Sequence, residues 1–188
     1  MNHPTHAQQL LSLLARTSFK LGQFKLSSGG TSDYYIDCRT TTLHAEGGRL
    51  TGHAILELLE HHAIKADAVG GLTMGADPIA CAVSYASATS TAPLRAFTVR
   101  KEPKVHGTGK LIEGPFQSGD RVVVIEDTIT TGGSAKKAID AVRVAGGKVI
   151  GVLALVDREE GGRENLEAEG VPVLSLARAS EIVPLIPA

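Results

Sequence analysis

The segment VVVIEDTITTGGS, Val122 to Ser134, sets four apolar residues before two adjacent acids, then hydroxyls and two glycines. A strand that turns into a helix aims backbone N–H groups and the positive end of a helix dipole at one spot, where an anion fits. Gly132 and Gly133 let the backbone approach that anion with no Cβ in the way. Thr130, Thr131 and Ser134 add hydroxyl donors. Glu126 and Asp127 would repel the same anion, so they suit neutral hydroxyls or a metal beside it. A ligand with a phosphate at one end and vicinal hydroxyls at the other is a ribose 5-phosphate. Neither GxxxxGK[ST] nor GxGxxG occurs in the chain, so this is not one of the two commoner phosphate loops.

Four further stretches could do chemistry. RKEPKVHGTGK, Arg100 to Lys110, carries four cationic residues against Glu102, together with His106. Pro103, Gly107 and Gly109 argue against regular structure, which leaves a mobile, anion-seeking loop. VDREEGG puts Arg158 at the end of an apolar run. Its planar fork could take a carboxylate in two hydrogen bonds, or pair with Glu159 or Glu160 at the surface. FKLSSGGTSDYYID, Phe24 to Asp37, reads as two short strand-like pieces joined by a polar turn. GGLTMGADPIA, Gly70 to Ala80, is a glycine-rich turn leading into a helix at Asp77-Pro78.

These stretches need a frame that gathers them. Leu10, Leu11 and Leu14 share one face of a first helix, and Leu50, Ala54, Ile55, Leu58 and Leu59 one face of a second. ADAVGG, LRAFTVR, RVVVIED, KVIGVLALVD and VPVLSL read as strands. DPIACAVSYASA, SAKKAIDAVRVAGG and the short GRENLEAEG read as helices between them. Alternating strands and helices imply an α/β fold, a mainly parallel sheet flanked by helices. The unbroken apolar runs VVVI and VIGVLALV are what central strands of such a sheet require. Ligands then bind beyond the carboxyl ends of the strands, after Gly70, Arg100, Glu126 and Asp157.

At 188 residues, with 43% apolar and 21% charged residues, the chain is expected to form one domain, 1–188, with a core of its own. A net charge of −1 gives no global pull towards nucleic acid or acidic membrane, so any anion site is local. Cys38 and Cys81 stand apart with no CxxC, which points to free thiols rather than a disulfide or zinc site. MNHPTHAQQLLSLLARTS has neither a basic n-region nor a long unbroken apolar run, and a cytoplasmic location is expected.

VVVIEDTITTGGS resembles the phosphoribosyl-diphosphate (PRPP) loop of the type I phosphoribosyltransferases, and RKxxKxHG resembles the flexible loop of the orotate phosphoribosyltransferases among them. The resemblance spans about Phe24 to Gly162. It implies the type I phosphoribosyltransferase fold with a small N-terminal hood, to which residues of about 1–40 contribute. It implies transfer of the 5-phosphoribosyl group from PRPP to orotate, giving orotidine 5′-monophosphate and diphosphate in pyrimidine synthesis. PRPP would be held by Glu126, Asp127, Thr128, Ile129, Thr130, Thr131, Gly132, Gly133 and Ser134, with Arg100, Lys101, Lys104 and His106 on the diphosphate. Lys104, His106 and Asp127 are the expected catalytic residues. Orotate would lie against Tyr35 and Ile36, touch Thr130 and place its carboxylate on Arg158.

By the same resemblance Mg2+ arrives mainly through PRPP, and a homodimer shares the Arg100–Lys110 loop between subunits. The chain departs from many bacterial orotate enzymes at Ser27 and Gly75, where those carry lysines. The alternatives are a phosphoribosyltransferase for a purine base and a non-catalytic PRPP-binding regulator. Arg158 and RKxxKxHG speak against the first, and the lack of an added DNA-binding module speaks against the second.

Overall fold

The computed structural model describes residues 5–25, 30–102 and 110–187. Helix α1 (His6–Thr17) opens on Thr5, whose hydroxyl accepts from the Gln8 amide while the Gln8 side chain accepts from the Thr5 amide. It buries Leu10, Leu14 and Ala15. Strands β1 (Phe19–Lys25) and β2 (Thr31–Ile36) form a separate antiparallel pair. Helices α2 (Arg39–Thr42) and α3 (Ala45–His61) follow, the second burying Leu50, Ala54, Ile55 and Leu59 as its spacing predicts.

The main sheet has the order β5-β4-β3-β6-β7-β8. Its strands are β3 (Ala68–Leu72), β4 (Arg95–Val99), β5 (Ile112–Glu113), β6 (Arg121–Ile129), β7 (Lys148–Asp157) and β8 (Val173–Arg178). All neighbours run parallel except β5, which pairs antiparallel with β4. Helices α4 (Ala76–Ser87), α5 (Gly133–Val144) and α6 (Gly162–Ala168) lie between strands, and a short α7 (Ala179–Ile182) with a 3-10 turn closes the chain. The expected parallel α/β sheet is present. β5, α2 and α7 had no signal in the sequence reading, because two to four residues are too few to show a period.

Residues of β6 divide between two cores. Val123 and Ile125 face α1, α3 and α4, whereas Val122 and Val124 face α5. Each such side chain taken out of water contributes about 1.5–3 kcal/mol. The alternation fails at the end of the strand: Ile129, odd-numbered like Val123 and Ile125, is buried on the α5 side. The backbone past the acids therefore does not continue a flat pleat.

One boundary differs from the sequence reading. β6 does not stop at the acids. Its ladder with β7 continues to Ile129, which pairs with Asp157. Helix α1 packs into the main core, where Leu10 and Leu14 are wholly buried, while Tyr35, Ile36, Asp37 and Arg39 from the β2 and α2 region line the cleft described next. Three leucines on one face mark a helix that buries that face, but not which surface it meets.

Candidate active site

From β3 the chain steps outward to β4 on one side, and from β6 it steps to β7 and β8 on the other. The carboxyl ends of β3 and β6 thus face a crevice, the place where open α/β sheets hold ligands. A cleft of about 370 Å3 opens there. It is lined by Glu126, Asp127, Thr128, Thr130 and Ser134, by Leu72 to Gly75 after β3, by Tyr35 to Asp37 and Arg39, and by Lys101 and Arg158.

Beside it, the junction of β6 and α5 is built from backbone. Gly132 has φ +84°, which a side-chain-bearing residue rarely adopts, and it turns the chain from β6 into α5. No side chain caps this helix. The first intrahelical bond runs from the Lys136 amide to the Gly132 carbonyl at 2.9 Å, so the amides of Gly133, Ser134 and Ala135 have no intrahelical acceptor. Asn165 holds the Thr131 carbonyl at 3.1 Å and helps fix the turn.

The two acids differ in burial. Glu126 is 8% exposed, and burial, reinforced by the adjacent Asp127 charge, pushes its carboxyl up to about 8. Asp127 is less buried, and one of its oxygens accepts from the Thr128 amide at 2.9 Å. Beneath them Cys38 is wholly buried, 3.4 Å from the Thr128 hydroxyl, and desolvation pushes its thiol up to about 12. It is an inert floor.

At the opposite end Arg158 is 9% exposed. Its Nε donates to Glu160 at 2.7 Å and one Nη to the Ser32 hydroxyl at 3.3 Å, with the guanidinium carbon 4.9 Å from the centre of the Tyr34 ring. The pairing with Glu160 that the residue types allowed does form, between the buried Arg158 and an exposed Glu160. Tyr35 and Ile36 line the same cleft, as expected.

The structure places the remaining expected site residues as follows. Arg100 does not line the cleft. Its guanidinium lies 3.8 Å from Glu113 on β5 and its amide donates to the Leu111 carbonyl. Lys101 does line the cleft. The side chain of Ile129 is buried in the core, so only its backbone could meet a ligand. Thr131, Gly132 and Gly133 form the turn and the helix start without lining the cleft. Lys104 and His106, with Ser27, lie outside the described residues.

The sequence reading also missed one cleft residue and one that supports the cleft. Arg39 lines the cleft and grips Asp37 through Nε and an Nη at 2.8 and 2.9 Å. Asp77 accepts from the Thr73 hydroxyl at 2.6 Å and from the Thr98 hydroxyl at 2.9 Å, tying the loop after β3 to β4. An acid next to a proline at a helix start gave only a capping signal.

Residues 40–169 match the phosphoribosyl transferase domain family. The chain is 49% identical to the orotate phosphoribosyltransferase of Aquifex aeolicus, over 94% of this chain and 97% of that protein. It also matches the crystal structure of Mycobacterium tuberculosis H37Rv orotate phosphoribosyltransferase with Fe(III) dicitrate, with TM-score 0.82 and 43% identity, covering 95% and 99% of the two chains. The same enzyme solved with PRPP gives TM-score 0.78 and 40% identity at the same coverage. The parallel sheet and the cleft at its switch point are those of a phosphoribosyltransferase. Within that family the chain belongs to the orotate phosphoribosyltransferases.

Proposed function

We propose that the cleft binds PRPP across the β3–β6 crevice and transfers its phosphoribosyl group to orotate, giving orotidine 5′-monophosphate and diphosphate. One observation carries this reading: uncapped amides at the start of α5, a pair of acids and a buried arginine line or border one cleft in that order. The 5-phosphate sits on the amides of Gly133 to Ala135, aided by Thr130, Thr131 and Ser134. Glu126 and Asp127 take the ribose hydroxyls. Orotate lies between Tyr35, Ile36 and Thr130 with its carboxylate on Arg158.

Bond breaking at C1 leaves positive charge on the sugar and negative charge on the departing diphosphate. Asp127, beneath the sugar, stabilises the first. Lys101 and Arg39 in the cleft, with Lys104 and His106 of the following loop, stabilise the second. Arg100 joins them once it leaves Glu113. Because a nitrogen of the base attacks directly, the chain need supply no nucleophile of its own. Covering of the cleft by the loop excludes water that would hydrolyse PRPP.

Among the described residues no group of three or more side chains is arranged to hold a metal. Two acids at the sugar end suit a magnesium ion that brings most of its oxygen ligands from the substrate. Bound in that way, magnesium neutralises diphosphate charge, while Glu126 and Asp127 are the oxygens this chain offers it.

The chain works as a homodimer in this reading, with the Arg100–Lys110 loop shared between subunits. Exposed Leu43 and Tyr85, which border a groove between α2, α3 and α4, support such a contact. Unpaired Cys38 and Cys81 suit the reducing cytoplasm. No described helix is long and apolar enough to cross a membrane. Turnover with PRPP and magnesium on orotate, uracil, hypoxanthine and adenine tests the reading. Orotate alone is expected to react; activity confined to a purine would overturn it.

A further inference from the structure

We infer that Tyr34 and Glu160 are positioning residues that fix the guanidinium of Arg158 for the carboxylate of the incoming base. The inference rests on the orotate reading above and extends it to residues with no role there. Buried arginine costs free energy unless its donors are met and its plane is packed. Here Glu160 takes the Nε hydrogen at 2.7 Å and Ser32 takes one hydrogen of an Nη at 3.3 Å. Both contacts fall on one side of the fork. The end-on edge, with one N–H from each Nη, is the two-pronged face that remains for a carboxylate.

Tyr34 sets the plane in which that edge lies. Its ring is 4.9 Å from the guanidinium carbon, within cation–π range. The ring is itself fixed: it stacks on Phe19 at 6.0 Å, packs against the main core, and its carbonyl accepts from the Ser32 hydroxyl at 2.8 Å. Tyr34 alternates with Tyr35 along β2, so adjacent residues divide the labour. Tyr35 lines the cleft, while Tyr34 faces inward and carries the arginine. The hood is therefore part of the base-selecting device as well as a cover.

Steady-state kinetics on Tyr34→Leu, Tyr34→Phe and Glu160→Ala, alone and in an Arg158→Ala background, test this. For Tyr34→Leu the KM for orotate should rise roughly 5- to 30-fold, the range expected from a lost cation–π contact, with the KM for PRPP nearly unchanged. Tyr34→Phe keeps the ring and should stay near wild type. Glu160→Ala, a change at the cleft edge with little bearing on folding, should also raise the orotate KM while sparing PRPP. In the Arg158→Ala background the added effect of either change should vanish. Unchanged orotate KM in both Tyr34→Leu and Glu160→Ala would overturn the inference. So would a loss of orotate and PRPP affinity together, persistence of the effect without Arg158, or tighter orotate binding in Glu160→Ala. A wild-type enzyme that does not turn over orotate would instead defeat the functional reading itself.

Discussion

Asp127 stands against Gly75 across the β3–β6 crevice. A Cβ at residue 75 would lie 2.7 Å from the carboxylate carbon of Asp127 and 2.7 to 2.8 Å from its oxygens. The glycine is therefore matched to the acid. Gly75→Lys, which restores the lysine of many bacterial relatives, should not improve the enzyme, because it forces Asp127 off the ribose. Displacements of about 1 Å at a reacting centre can cost on the order of 100-fold. We expect kcat/KM for PRPP to fall at least about tenfold, and steady-state kinetics showing a gain would contradict the pairing.

Asp77 anchors the same loop from below. Asp77→Ala removes two hydroxyl hydrogen bonds, each worth about 0.5–1.5 kcal/mol net. The expected result is a several-fold higher KM for PRPP, with urea midpoints shifted to lower stability by about 2 kcal/mol. Asp77→Asn, which still accepts hydrogen bonds, should lose less of both.

The raised carboxyl of Glu126 makes a pH prediction. Between its usual value of 4.5 and about 8, the folded chain keeps the proton that the unfolded chain has lost. Stability of the ligand-free protein should therefore decline as pH rises through that window and level off above it. Glu126→Gln should stabilise the free protein by about 2–4 kcal/mol at pH 9 and by little at pH 4. It should also lower kcat/KM, since an acceptor for the ribose hydroxyls is weakened. Denaturation at the two pH values checks the sign; equal shifts at both would remove burial as the cause.

How much of this was legible beforehand varied with the kind of signal. Continuous apolar runs such as VVVI located β6, and glycines beside acids pointed to the cleft at its carboxyl end, because both features follow from local chemistry. The side on which a residue falls was harder. Arg100 and Lys101 are neighbours in one basic stretch, yet Lys101 lines the cleft while Arg100 turns to Glu113. Charge alone does not specify that division. Tyr34 and Tyr35 read alike as aromatics of a strand, and only the β1–β2 pairing and the position of Arg158 separate them. Asp77 and Arg39 were missed because their partners, Thr98 and the cleft itself, are brought to them by the fold.

Lys104 offers a test of the basic loop. Lys104→Ala should depress kcat by about 100-fold or more, the size expected for a group stabilising a charged leaving group. The melting temperature should stay within about one degree, the result expected of a residue that acts through its charge on the ligand rather than through packing. Wild-type turnover would show that the diphosphate is stabilised by other groups.

A crystal of the chain grown or soaked with PRPP would test the sugar-phosphate cradle of β6 and α5. The 5-phosphate should lie within about 3.2 Å of the amides of Gly133, Ser134 and Ala135, with the ribose hydroxyls on Glu126 and Asp127. Phosphate density elsewhere, with the start of α5 left to solvent, would contradict the assignment of this cleft.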